Sequence, residues 1–310
     1  MLDILSVIFR ALSFVLQLQA AGIVFFAAAF GPALTISLPG IRKLARVSAI
    51  AALLAVAGHY VLEAARMSDD LAGMFDLSLQ SMAWNSTAGG AFTVRELGLL
   101  LIVAGMRAVP ARVTANNIFA ASVGSPVAVL LKRLAARGFT LVGVGGAVLV
   151  AVSFTLTGHI SVDPRRALLA PLLLAHLLIV AFWFGALWPL CQVTMRESRE
   201  RTARVISVFS AAALWLVPVI LVVGVGMAIA LLPNAAALRK PYGELLIAKV
   251  ALFSVLLGCA ALNKWRFGPA LASADLQAAR RFRAVVITEY VLITIVLAIT
   301  AVMTTFFSPE

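Results

Sequence analysis

SAIAALLAVAGHYVLEAARM, Ser48–Met67, is an apolar stretch as long as a bilayer-crossing helix, with an imidazole and a carboxylate inside it. His59 and Glu63 stand four residues apart, so on a helix they share a face. Met67 lies four further on and extends the stripe to ~12 Å at the helical rise. Ionisable groups within a hydrophobic span are costly and point to function.

The rest of the chain has the same character. Of 310 residues, 63% are hydrophobic and only 12% are charged, against about half and a quarter in soluble domains. The expected fold class is therefore all-α, a polytopic transmembrane helix bundle. The net charge of +12 points to topology before nucleic acid, because Lys and Arg gather in cytoplasmic loops of membrane proteins. Cys191 and Cys259 have no partner at metal-ligand or redox spacing and read as free thiols. Arg10 interrupts the first apolar run, which reads as a retained helix and not as a signal peptide.

About eight spans are expected: Ile4–Leu38, Val47–Arg66, Ala88–Ala108, Phe139–Gly158, Leu168–Pro189, Arg204–Leu232, Gly243–Asn263 and Val285–Phe306. The first, broken by Arg10, Gln17 and Gln19, is expected to begin as a surface-lying segment. Ile118–Leu131, short and holding Gly124 and Pro126, reads as an interfacial or re-entrant piece. One membrane domain is expected overall, in two parts: residues 1–138 with the first three helices, and residues 139–310 with the remaining five. Arg42, Lys43 and Arg46 follow the first span, and Arg107, Arg112, Lys132, Arg133 and Arg137 follow the third. Arg196, Arg199, Arg201 and Arg204 follow the fifth, and Lys264, Arg266, Arg280, Arg281 and Arg283 the seventh. Most of the 25 basic residues thus sit in alternate loops, which puts those loops in the cytoplasm and both termini outside.

That orientation gives depth. His59, Glu63, His159 and His176 fall in the outer half of the bundle, and Arg95, Glu96, Glu244 and Lys249 lie near them. Met67, Met74 and Met82 occupy or border the outer loop with Asp69, Asp70 and Asp76. Thioethers favour Cu(I), whereas imidazole takes copper or zinc. A methionine loop above a His/Glu layer reads as a metal entrance; the same loop could be a short amphipathic helix with Met as filler. Glu289, near the inner end of the last span, has no metal partner and is expected in a helix–helix contact with Asn263 or as a cytoplasmic-side polar group. Trp183 reads as packing.

Several motifs together resemble the copper resistance D family of bacterial inner-membrane proteins. They are TGH at Thr157–His159, HLLIVAFWFGALW at His176–Trp188, VFSAAAL at Val208–Leu214, PYGELLIAKVAL from Pro241, Asn263, and TEYVLI at Thr288–Ile293. The resemblance implies eight helices, copper uptake toward the cytoplasm, and a periplasmic copper-binding protein as partner. It marks His159, His176, Tyr242, Lys249 and Glu289 as motif residues. Where the family carries Thr-Gly in its sixth helix, this chain has Val223-Gly224. The resulting expectation is a copper-handling permease in the inner membrane, with copper as the ion and zinc as a competitor for the same ligands. A haem-binding electron-transfer subunit and a non-transporting metal-binding protein are the rivals. No activated Ser or Cys constellation appears, so no enzyme is expected.

Overall fold

The computed structural model describes residues 1–107, 126–232, 234–271 and 276–307, with the backbone only at residues 126–137, 139, 159 and 276. Nine helices of eight or more residues are described. They are α1 (Leu2–Phe30), α2 (Leu38–Ser68), α3 (Leu77–Trp84), α4 (Thr87–Gly105) and α5 (Pro126–Ser153). The remainder are α6 (Arg166–Arg196), α7 (Arg199–Leu231), α8 (Pro241–Leu262) and α9 (Leu276–Phe306). No strand occurs among the described residues.

Among the described residues, seven helices are long and apolar enough to cross a membrane, and α5 with the 3-10 turn after it contributes a shorter apolar stretch, Thr140–Leu156. Chain chemistry sets their ends. Pro32 follows α1 in a single 3-10 turn, and Pro39 opens α2 at a position where its missing N–H costs nothing. Asp76 caps α3 by accepting from the Ser78 and Leu79 amides at 2.8 and 3.3 Å, and Ser86 caps α4 through Ala88 at 3.1 Å. After α8 the chain widens into a π turn, Asn263–Phe267, before Gly268–Ala270.

The expected spans are present as helices, with shifted ends. α1 stops at Phe30, well before Leu38, because Gly31-Pro32 breaks it. Of the Ile118–Leu131 segment, Pro126–Leu131 belong to α5, and residues 118–125 lie outside the described residues. The charges of Lys132, Arg133 and Arg137 hide this part of α5 from a hydropathy count.

The first span, expected to begin as a surface-lying segment, is one continuous helix over Leu2–Phe30 whose first dozen residues are mostly exposed or half-buried and whose later part is buried. α1 is the central helix, packed against α2, α5, α6 and α9. Its interruptions face inward: Gln17 and Gln19 are buried. Gln19 donates to Ser48 Oγ at 2.9 Å and accepts from Tyr290 Oη, so one amide links α1, α2 and α9. The α1–α6 crossing is made of bare backbone. A Cβ on Gly22 would fall 1.7 Å from the Ala181 carbonyl oxygen, and one on Gly185 would fall 2.5 Å from Gly22. Small residues allow this approach where no hydrophobic effect drives helices together. Gly98 and Gly146 do the same between α4 and α5.

α7 and α8 are peripheral. α7 leans on α6 and α8 on α9, and the two pack no more than glancingly on each other among the described residues. The gap between them is a cavity of about 350 Å³. Polar contacts mark the two ends of the bundle. Arg10 near the start of α1 meets Thr304 near the end of α9, while the Thr35–Ser37 turn meets Glu197 at the opposite end.

Candidate functional site

His59 and Glu63 do share a face of α2, with Nε2 and Oε1 3.8 Å apart. They are not alone there. Arg10 on α1 donates from Nε to His59 Nε2 at 3.1 Å, and its Nη2 lies 3.6 Å from Glu63. Arg10 Nη1 also donates to the Thr304 carbonyl at 2.7 Å. Arg66 contacts Glu63 Oε2 at 3.4 Å and Asp3 at 3.6 Å. Two guanidinium groups therefore balance two carboxylates around one imidazole. Arg10 fixes the His59 tautomer, because a nitrogen that accepts a hydrogen bond carries no proton. The same lone pair would be the metal ligand, so copper and Arg10 compete for it.

The neighbouring charges on α4 are built into helix packing. Arg95 on α4 donates from Nε to Ser153 Oγ at 3.0 Å and lies 4.9 Å from the centre of the Phe154 ring, a cation–π distance. Glu96 has a buried Oε1 with no hydrogen-bond partner. Tyr60, beside His59, stacks on Phe92 at 4.3 Å.

His176 has a different neighbourhood. It faces the Ile220 backbone on α7 and lies within electrostatic range of Lys249 on α8, while its buried Nδ1 has no partner. A Cβ built on Gly224 would sit 3.9 Å from His176 Cε1. The Val223-Gly224 departure from the family pattern therefore lies beside this histidine. The His159 side chain falls outside the described residues; its backbone opens a single helical turn, His159–Val162, after Gly158 at φ 76°. Tyr242 is half-buried and Glu244 exposed in the first turn of α8. Among the described residues, no three His, Cys, Asp or Glu side chains converge as a metal site.

The methionine loop is folded. Met67 closes α2, Met74 lies in a 3-10 turn and Met82 in α3, with Met67 and Met82 exposed. Asp69 takes the left-handed conformation (φ 54°) that ends α2, and Asp70 and Asp76 serve as helix caps. The acids thus act locally, while two thioethers remain exposed.

At Glu289 the expected contact with Asn263 is present: Asn263 Nδ2 donates to Oε1 at 2.9 Å. Trp183 packs edge-on against Phe253, and it also donates from Nε1 to Glu289 Oε2 at 3.3 Å. Its place seven residues after His176, on the same helical face, was the available signal.

Sequence reasoning missed Glu197. Its side chain, with no exposed surface, accepts from the amides of Thr35, Ile36 and Ser37 at 3.0, 2.8 and 2.9 Å and from the hydroxyls of Thr35 and Ser37. Burial works to raise its pKa, but the bonds from Ser37, Ile36 and Thr35 prevail and hold it down at about 2. The available signal was an acid at the head of a basic loop, where Glu200 pairs with Arg204 four residues on while Glu197 turns to another segment. At the other end, Asp163 is held below the usual range by hydrogen bonds from Arg165.

The bundle of long apolar helices, with ionisable groups turned inward, defines a multi-pass membrane protein. Residues 203–303 match the family model described as copper resistance protein D, which bears out the resemblance over that stretch. Val208–Leu214, Pro241–Leu252, Asn263 and Glu289 lie within the match; His59, His159, His176 and Trp183 precede it. No curated protein and no solved structure matches the chain.

Proposed function

We propose that this protein is a permease that takes copper, as cargo, from the periplasm across the bacterial inner membrane toward the cytoplasm, without covalent chemistry. The match to the copper resistance protein D family carries this reading. The positive-inside distribution supports the orientation, and the meeting of Arg10 with Thr304 supports an even number of crossings, eight, with both termini periplasmic.

Copper, handed over by a periplasmic copper-binding protein, first meets the thioethers of Met67, Met74 and Met82, which suit Cu(I). His59 and Glu63 form the next station. Loading it requires Arg10 to leave His59 Nε2, which couples arrival of the cation to a rearrangement of α1 against α2 and α9. His159 and His176 extend the path in the outer half, the latter through its unpartnered Nδ1.

The test is uptake of radiolabelled Cu(I) into proteoliposomes, with zinc as the competing ion. Wild-type protein accumulates copper, and the His59→Ala/His176→Ala variant does not. Unchanged uptake in that variant overturns the site, and no uptake by wild-type protein overturns the permease.

A further inference from the structure

The cavity between α7 and α8 lies toward the Glu197 end of the bundle, far along α8 and early in α7, and it plays no part in the copper path above. Its floor carries Trp183 from α6 and Glu289 from α9. Trp183, Phe209 and Phe282 make its walls aromatic. Leu214 and Trp265, both more than half exposed, stand at its rim with Lys264. Because α7 and α8 scarcely touch, the opening faces sideways, where lipid surrounds the bundle. A volume of about 350 Å³ lies within the range of small-molecule sites.

The polar end is specific. At the buried end, Trp183 Nε1 and Asn263 Nδ2 both donate to Glu289, while Ser210 and Lys264 line the cavity elsewhere. Asn263 is 8% exposed, lines the cavity, and its Oδ1 has no hydrogen-bond partner. A buried acceptor left unmatched costs free energy, so the site is completed by a ligand that donates. Acyl chains do not donate, and a phospholipid would set methylenes against a carboxylate. A divalent cation would need more oxygen ligands than these two side chains supply.

From this geometry we infer that the cavity binds a membrane-soluble aromatic alcohol of the hydroquinone class. It enters from the bilayer between α7 and α8. Its ring lies among Trp183, Phe209 and Phe282. One hydroxyl donates to Asn263 Oδ1 or Glu289, and its apolar tail leaves past Leu214.

The test uses the full chain in detergent, with decylhydroquinone and its dimethyl ether as probes and equilibrium binding as the readout. The hydroquinone binds saturably, one per chain. The ether, with the same ring and tail but no O–H, binds at least about tenfold more weakly, as loss of a hydrogen bond to a charged or buried acceptor implies. Asn263→Leu weakens hydroquinone binding by a similar factor, and Ala260→Phe, which fills the cavity, abolishes it. Thermal unfolding shows that each variant is folded, and Ala213→Leu replaces any that is not. Equal binding of both probes, no saturable binding, wild-type binding by a folded cavity-filled variant, or a co-purified phospholipid that the hydroquinone cannot displace would each overturn the inference.

Discussion

Arg10 Nε and His59 Nε2 are hydrogen-bonded at 3.1 Å, although 49 residues separate them, and this bond occupies the lone pair that a metal would use. Replacing Arg10 with Met keeps the apolar stem and removes both the competing donor and a positive charge. The expected result is a rise in Cu(I) affinity of about tenfold, the value of one hydrogen bond to a charged group. Competition against a chromogenic Cu(I) chelator measures it. His59→Ala in the Arg10→Met background should return affinity to the wild-type value or below. An unchanged affinity in Arg10→Met would remove His59 from the copper path.

At the other polar cluster, Trp183 and Asn263 donate to the two oxygens of one carboxylate. Asn263→Ala removes the shorter bond and is expected to cost about 2 kcal/mol. Trp183→Phe retains most of the ring packing and should cost about 1 kcal/mol. The effects should not add, since each bond compensates the same buried group; a coupling of about 0.5 kcal/mol or more is expected in a double-mutant cycle. Unfolding in detergent at fixed lipid content provides the four values. Strict additivity would mean that the two bonds do not compensate the same buried group.

The helices were legible because about 20 apolar residues in a row leave the chain few alternatives. The spacing of His59 and Glu63 was also sufficient, since both lie on one helix. What escaped were contacts between distant segments. Gln17 and Gln19 count against burial on any hydropathy scale, and the partners that make Gln19 acceptable, Ser48 and Tyr290, come from other helices. Arg10 looked like an interruption for the same reason. The sequence shows Trp183 as a packing ring, which it is, but the role of its N–H depends on Glu289, which another helix brings beside it.

Two glycine substitutions separate close packing from helix propensity. Gly22→Ala must place a methyl group 1.7 Å from the Ala181 carbonyl, a backbone atom that cannot rotate away. The α1–α6 crossing would have to open, at an expected cost of about 3 kcal/mol or more. Gly226, inside α7, has nothing within 4 Å of an added Cβ. Gly226→Ala should be neutral or stabilise by up to about 1 kcal/mol. The difference between the two melting temperatures reads out the crossing directly, and similar behaviour of both variants would mean that α1 and α6 do not meet at Gly22.

Glu197 gives the protein an acid-sensitive joint. Its folded-state pKa of about 2 lies below the ordinary 4.5, so the unfolded chain binds the proton more readily. The stability it contributes is fully present above about pH 4.5 and is lost as pH falls through about 2. After allowing for screening by nearby water, that contribution is about 1–2 kcal/mol. Glu197→Gln keeps an acceptor oxygen for the Ile36 and Ser37 amides but removes the charge, so it should lower stability at neutral pH and flatten the slope between pH 4.5 and 2. Glu197→Ala also leaves the Thr35–Ser37 amides without their acceptor and should cost about 2 kcal/mol or more. Unfolding midpoints across that pH range, compared for the three proteins, provide the check. An identical slope in Glu197→Gln would show that the acid sensitivity arises from another carboxylate.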